Sequence, residues 1–323
     1  MFEAMIAALK ERKRKIVFTE GTDPRILEAA SRLAKDGILT PVLLGNPDEI
    51  DAAARKCGWS AEGIEKIDPL HYDGFEEMAA KMIELRKGKM DEAACRAALL
   101  KSNYFGTMLV KLGKADCLLG GATYSTADTV RPALQLIKTK PGSKIVSSCF
   151  ILYREAAGGT EMYAMGDCAI NLDPNEEELT EIALETARTA KTFGIEPKVA
   201  MLSYSTLGSG KGDSVDKVHN AAEKLKAMTL DFPVDGELQF DAAFAPEVAK
   251  TKAPQSSVAG QANTFVFPDI DAGNIGYKIA QRLGGFEAFG PILQGLNAPI
   301  NDLSRGCNAE EVYKMAIITA SLL

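Results

Sequence analysis

Short apolar runs rich in β-branched residues alternate with amphipathic helical stretches through the first third of this chain, and that alternation limits the fold more than any other feature. KIVFTE is followed by a helical stretch over residues 23–35, then TPVLLG, then a helix opened by Pro47. Asp23 is placed to cap the first of these helices, and Pro24 falls at the first helical position, where its missing N–H costs nothing. Strand and helix in alternation imply a parallel sheet covered by helices on both faces. Residues 74–100 are mostly helical in pattern, ADCLLGG (115–121) reads as a buried strand, and GATYSTADTVRPALQ reads as a polar turn and then a helix. Pro141-Gly142-Ser143 punctuates the chain, and a domain boundary is placed there. A second alternating set follows. It holds the long apolar run KIVSSCFILY, a helix over 176–192, the strand KVAMLSYS ending in the turn TLGSGKGD, a helix over 214–228, the strand TFVFPD and a helix over 273–282. The final helix, about 309–322, is apolar through Val312, Met315, Ala316 and Thr319, a face that must pack on something.

With 323 residues and 46% hydrophobic composition, the chain exceeds the size at which a single core stops growing. Two domains of roughly 150 residues each are expected, with a cleft between them as the default site. The net charge is −7 and Lys and Arg are scattered. Nucleic acid is therefore not an expected partner, because binding it needs a continuous basic face. No apolar run approaches the ~18 residues of a membrane span, and MFEAMIAALKERKRK reads as an amphipathic helix without a signal-peptide pattern. A cytoplasmic protein is expected. The six cysteines form no Cys-x-x-Cys pair and only His71 and His219 supply imidazole, so zinc and disulfide readings are weak. With histidine so scarce, a general base is expected to be a carboxylate.

Four segments carry candidate chemistry. In NDLSRGCNAEE (301–311), Ser304 and Arg305 precede Gly306, which lets the backbone turn tightly; a hydroxyl beside a guanidinium in a loop suits an anion. Asn308 followed by Glu311 is close to a capping box, so Glu311 is also explained as a helix cap. In GATYSTADTVRP, the hydroxyls of Ser125, Thr126 and Thr129 lie near Arg131, with Asp128 about one helical turn before it; this suits a phosphate or carboxylate, or else a capped helix with a surface arginine. Arg86, at the end of a basic helix, is explained most simply by the helix dipole. In TLGSGKGD, glycines between a strand and a helix let backbone amides cradle a phosphate, with Gly208 and Ser209 as candidate contacts, or serve as a flexible connection. The spacing is neither that of a Walker A loop nor that of a dinucleotide loop. Asp269 and Asp271 are read as turn formers rather than metal ligands.

Taken together, DLSRGCNAEEVYKMAIITA, GGATYSTADTVRPALQ, GDCAINLDPN, MLSYSTLGSGKG, DGELQFDAA and FPDIDAGNIGYKIAQRL resemble the phosphate acetyltransferases of the short, single-module kind. The resemblance runs from near the N-terminus to the last helix. It implies an α/β fold of two three-layer α/β domains flanking a cleft, isocitrate-dehydrogenase-like. The first domain (1–143 and 296–323) is then discontinuous and the second covers 144–295. It implies a homodimer and reversible acetyl transfer between acetyl phosphate and coenzyme A, with phosphate released and coenzyme A a substrate rather than a cofactor. No metal or nicotinamide is implied. In such a reaction a carboxylate removes the coenzyme A thiol proton and the thiolate attacks the acetyl carbonyl. Carried onto this chain, Ser304 stabilises thiolate or oxyanion, Arg305 holds the phosphoryl group or polarises the carbonyl, and Arg131 and Arg86 contact substrate. The base falls on Glu311, where the family more often has aspartate. A longer-chain acyltransferase (propionyl or butyryl) and a non-catalytic acetyl-CoA-binding module are the alternatives.

Overall fold

The computed structural model describes residues 2–323. Its strands are β1 (Lys15–Phe18), β2 (Thr40–Leu44), β3 (Glu65–Ile67), β4 (Cys117–Gly120), β5 (Ser147–Ala156), β6 (Gly159–Gly166), β7 (Val199–Leu202), β8 (Val234–Leu238), β9 (Thr264–Val266), β10 (Glu287–Gln294) and β11 (Ile300–Asp302). The chain divides into two compact units, one formed by residues up to Gly142 with Leu296–Leu323, the other by Ser143–Gly295. No helix among the described residues is long and apolar enough to cross a membrane.

The first unit is built on a five-stranded sheet in the order β11-β4-β1-β2-β3, parallel at every pairing. Ile16, Val17, Phe18, Leu43, Leu118 and Leu119 are essentially inaccessible, as expected of parallel strands covered on both faces. Helices supply the covers. In Pro24–Lys35 the Asp23 side chain accepts from the Arg25 amide and Pro24 occupies the first turn, a cap worth about 1 kcal/mol. In Ser102–Lys111, a Cβ on Gly106 would lie 2.8 Å from Leu118 Cδ1, so glycine is what lets this helix approach the sheet so closely. The C-terminal segment completes this unit: β11 pairs with β4, and the helix Ala309–Ser321 packs on Pro24–Lys35 and on Phe2–Arg12. The expected apolar face of that last helix is buried at Val312, Met315, Ala316 and Thr319.

The second unit departs from simple alternation. Its sheet runs β10-β5-β6-β9-β7-β8; β6, β9, β7 and β8 are parallel, but β5 and β6 form an antiparallel hairpin and β10 adds antiparallel to β5. The sequence reading finds β5 and passes over its partner. GTEMYAMG is dominated by Gly, Met and Ala rather than by β-branched residues, and cross-strand pairing decides its conformation. The helices Glu176–Thr192 and Asp213–Lys226 pack through Leu179, Ile182, Val218 and Leu225 against β7 and β9.

Candidate active site

In the first unit, the strands β1, β4 and β11 are parallel, so the loops that leave their C-terminal ends emerge at one edge of the sheet, where open α/β sheets place ligands. Thr19 and Glu20 follow β1, Gly121 to Tyr124 follow β4, and Leu303 to Cys307 follow β11. Hydrogen bonds knit these loops together. The Leu303 amide donates to Gly120 O at 2.7 Å, and the Gly121 and Thr123 amides donate to Glu20 Oε1 at 3.0 and 3.1 Å. Thr19 Oγ1 donates to Glu20 Oε2 at 2.7 Å and shares a 2.8 Å bond with Tyr124 Oη. Glycine is required in the middle of this arrangement. A Cβ on Gly120 would lie 2.2 Å from Thr19 Oγ1 and from Tyr124 Oη, and Gly121, at φ +99°, would put one 2.2 Å from Asp302 Oδ1.

Asp302 closes the network from the other side. Its Oδ2 accepts from Thr126 Oγ1 at 2.7 Å and its Oδ1 from Thr129 Oγ1 at 2.5 Å, and the residue is only 1% exposed. Burial pushes this carboxyl up to about 6; the two threonine hydroxyls oppose the rise, and the charges of Glu20 and Asp128 add to it. Glu20 is raised as well, by burial that outweighs its bonds from Thr19, Thr123 and Gly121.

Beyond Asp302 the chain makes a tight turn: the Cys307 amide donates to Ser304 O at 2.9 Å and the Gly306 amide to Ser304 Oγ at 3.3 Å. Arg25 holds this turn from outside. Its guanidinium forks onto Asp23 through Nε and Nη2 at 2.9 and 2.8 Å and donates to Arg305 O (2.9 Å), Cys307 O (3.1 Å) and Ala122 O (2.9 Å). Asp23 is held below the usual carboxylate range: burial raises it, but its bonds with Arg25 outweigh that cost. Ser304 and Arg305 themselves are exposed, and the Arg305 guanidinium makes no ion pair with the described residues. Burial pushes the Cys307 thiol up to about 11 against the opposing charge of Arg25. It therefore stays protonated at neutral pH and is packed, not nucleophilic.

Glu311 is an N-cap partner. The Asn308 amide donates to Glu311 Oε2 at 3.0 Å and the Glu311 amide donates to Asn308 Oδ1 at 2.9 Å, the reciprocal pair of a capping box. The other carboxylate oxygen, Oε1, takes no hydrogen bond from the described residues. Ser125 is likewise a cap, with Oγ donating to Asp128 Oδ2 at 2.7 Å, and the Thr126 hydroxyl is committed to Asp302. Arg131, on the same short helix Thr126–Pro132, is exposed.

Arg86 lies at the helix end where the dipole reading puts it, and it is also buried. It is in the last turn of Phe75–Arg86 and 9% exposed; its Nε has no hydrogen-bond partner, and Nη1 reaches only Gln135 O at 3.4 Å. Tyr104, whose Oη donates to Gln135 Oε1 at 2.9 Å, feels both Arg131 and Arg86: burial raises its hydroxyl and the two guanidinium charges pull it down. A buried guanidinium with no carboxylate partner is costly and suits an anionic ligand.

The glycine-rich turn lies in the second unit, and its amides face inward. The Gly208 amide donates to Glu237 Oε1 at 2.6 Å, the Gly210 amide to Ser205 Oγ at 2.8 Å and the Thr206 amide to Ser209 Oγ at 2.9 Å. Glu237, 1% exposed, also accepts from Ser205 Oγ at 3.0 Å and contacts His219 Nδ1 at 3.1 Å. The order Ser–Glu–His puts the acid between the other two, so this is a structural knot and not a nucleophilic triad. Asp269 caps Ile270–Arg282 through the Ala272 amide at 2.8 Å, matching its reading as a turn former.

Sequence reasoning passed over Glu20, Asp302 and Arg25. The one signal for the carboxyls was their position at or just after strand ends of the parallel sheet; Arg25, beside a capping aspartate, reads as an ordinary first-turn residue.

A family model described as phosphate acetyl/butaryl transferase matches residues 1–320. The phosphate acetyltransferase of Bacillus subtilis (strain 168) is 57% identical over 307 residues, covering 95% of this chain and 94% of that protein. The phosphate acetyltransferase of Staphylococcus epidermidis (strain ATCC 12228 / FDA PCI 1200) is 52% identical over 312 residues, with 95% and 94% covered. A crystal structure of a phosphotransacetylase from Streptococcus pyogenes superimposes with a TM-score of 0.94 at 53% identity, covering 100% of this chain and 98% of that one.

Proposed function

The chain belongs to the phosphate acetyl/butaryl transferase family, and from that premise we propose that it is a phosphate acetyltransferase working by direct attack of coenzyme A thiolate on acetyl phosphate. The observation that carries the chemical reading is the exposed Ser304–Arg305 pair on a turn whose carbonyls are held by Arg25. A guanidinium with no internal partner, presented on a braced loop, suits the phosphoryl oxygens of acetyl phosphate.

In this reading Glu311 takes the thiol proton through Oε1 while Oε2 keeps the cap. A thiol of pKa about 8.5 is mostly protonated at neutral pH, so a base increases the thiolate that attacks. The sulfur bonds to the carbonyl carbon, the carbonyl electrons move to oxygen, and that oxyanion lies against Ser304 and Arg305. Collapse breaks the carbon–oxygen bond to phosphate, leaving acetyl-CoA and inorganic phosphate, and the proton on Glu311 passes to phosphate or solvent. Arg86 and Arg131 receive the anionic groups of coenzyme A; the burial of Arg86 without a carboxylate partner supports this. Ser125 and Thr126 then shape the site as cap and tie. Gly208 and Ser209 contribute through the firmness of their turn, since its amides already have partners.

Coenzyme A is a substrate in this scheme, and the chemistry calls for no metal or nicotinamide. We read the two units as two domains, 1–143 with 296–323 and 144–295, and the enzyme as a cytoplasmic homodimer. An exposed apolar stripe at Ile275, Ile279 and Leu283, spaced by four residues along one helix face, supports self-association. The test of the reaction is incubation of purified protein with coenzyme A and acetyl, propionyl or butyryl phosphate, following thioester formation. Acetyl phosphate is expected to be the best of the three. A preference for butyryl phosphate would move the chain to the longer-chain reading, and acetyl-CoA binding without turnover would make it a regulatory module.

A further inference from the structure

We propose that Asp302 is a positioning residue for the transfer, fixing the helix that carries Arg131 to the turn that carries Ser304 and Arg305. The inference rests on the acyl-transfer reading above and adds a residue to it. Asp302 ends β11, two residues before Ser304. Thr126 and Thr129, which donate to its two oxygens, are three residues apart on one face of Thr126–Pro132. Arg131 leaves the same helix one turn or less further on.

The segment 121–131 is thus held towards both ends by carboxyls, Glu20 partly buried and Asp302 buried. Glu20 takes the Gly121 and Thr123 amides at its start, and Asp302 takes the two hydroxyls further along. Asp302 ends one strand of the sheet and Glu20 lies two residues beyond the end of another, so substrate groups contributed by different loops share one rigid base. Hydrogen bonds to a charged acceptor are short and strong, which suits a tie that must hold geometry. The arrangement also has a cost that packing alone does not explain. Asp302 makes no ion pair with any lysine or arginine among the described residues, and an aliphatic side chain joining the same elements would avoid burying a carboxyl. Retaining the carboxyl there fits a requirement for precise placement.

The test uses the full chain and Thr126, whose hydroxyl is one arm of the tie. Thr126→Val keeps the side-chain shape and deletes the hydroxyl; Thr126→Ser keeps the hydroxyl. For Thr126→Val, kcat for acetyl-CoA formation is expected to fall about 10-fold or more with KM for acetyl phosphate changed less than about threefold, the signature of misplacement rather than lost binding. Thr126→Ser is expected to return kcat to within about threefold of wild type. Hydrogen–deuterium exchange reads the tie independently of turnover: peptides spanning 303–308 are expected to exchange faster in Thr126→Val than in wild type. Wild-type kcat in Thr126→Val, or a Thr126→Ser variant as impaired as valine, overturns the positioning role. If the wild-type chain made no acetyl-CoA, the acyl-transfer reading would fall on its own. Exchange would then decide the tie, with faster exchange upholding it and unchanged exchange overturning it.

Discussion

Glu311 carries two demands on one carboxylate, and a single substitution separates them. Glu311→Gln keeps an acceptor for the Asn308 amide but loses the ability to take a proton. The expected result is a kcat lowered about 100-fold, in the range for loss of a general base, with KM little changed and stability within about 1 kcal/mol of wild type. Steady-state kinetics beside thermal denaturation checks it; normal turnover would leave Glu311 as a cap alone. Asp302 makes a prediction of the opposite kind. Its carboxyl is raised from an ordinary 3.8 to about 6 in the fold, so between those values the native state holds a proton that the unfolded chain has released. Stability from this group is therefore fully present below about pH 4, falls as pH rises towards 6, and stays reduced above it. Asp302→Asn removes the charge, so at pH 8 the variant is expected to be more stable than wild type by up to roughly 3 kcal/mol. That advantage should shrink as pH falls through 6 towards 4. Melting curves at several pH values measure it, and a variant less stable than wild type at pH 8 would show that the lost threonine bonds outweigh the charge.

Elements that declare themselves locally were legible in the sequence, and elements decided by distant partners were not. Asp23 before Pro24 marks a helix start, and Asn308 with Glu311 marks another; both caps stand in the structure. The strand β6 was missed because its residues have little strand preference of their own and are fixed by pairing to β5 and β9. The hydrogen bond from Thr129 to Asp302 spans 173 residues of sequence and that from Arg25 to Cys307 spans 282, so no local pattern reveals either. For Arg86 the last-turn position is visible in sequence, while its burial without a carboxylate partner is a tertiary fact. The Arg25 brace gives a prediction at this scale. Lysine offers one compact ammonium in place of a planar fork and cannot hold Asp23 while reaching three carbonyls. Arg25→Lys is expected to lower kcat about 10-fold or more through a loosened Ser304 turn, with secondary structure unchanged by circular dichroism. Kinetics equal to wild type would show that the turn needs no brace.

For the whole molecule, strand–helix alternation read from sequence corresponds to the all-parallel sheet of the first unit, and it oversimplified the second, where a hairpin and an antiparallel edge strand intervene. The proposed homodimer is testable at the exposed stripe of Ile275, Ile279 and the C-cap Leu283. If the proposed homodimer forms through this stripe, a charge at its centre, Ile279→Glu, is expected to lower the mass seen in light scattering from that of a dimer to that of a monomer, and an unchanged mass would remove the stripe as the support for self-association. The central claim is that this chain joins acetyl phosphate to coenzyme A at a site centred on Ser304 and Arg305. Its most direct test is thioester formation by wild type and Arg305→Ala, with acetyl phosphate varied at saturating coenzyme A. The account predicts acetyl-CoA and phosphate in equal amounts from wild type and a kcat/KM for acetyl phosphate lowered at least about 100-fold in the variant, the scale of losing a preorganised donor to a developing charge. Turnover by Arg305→Ala at the wild-type rate and affinity would contradict it.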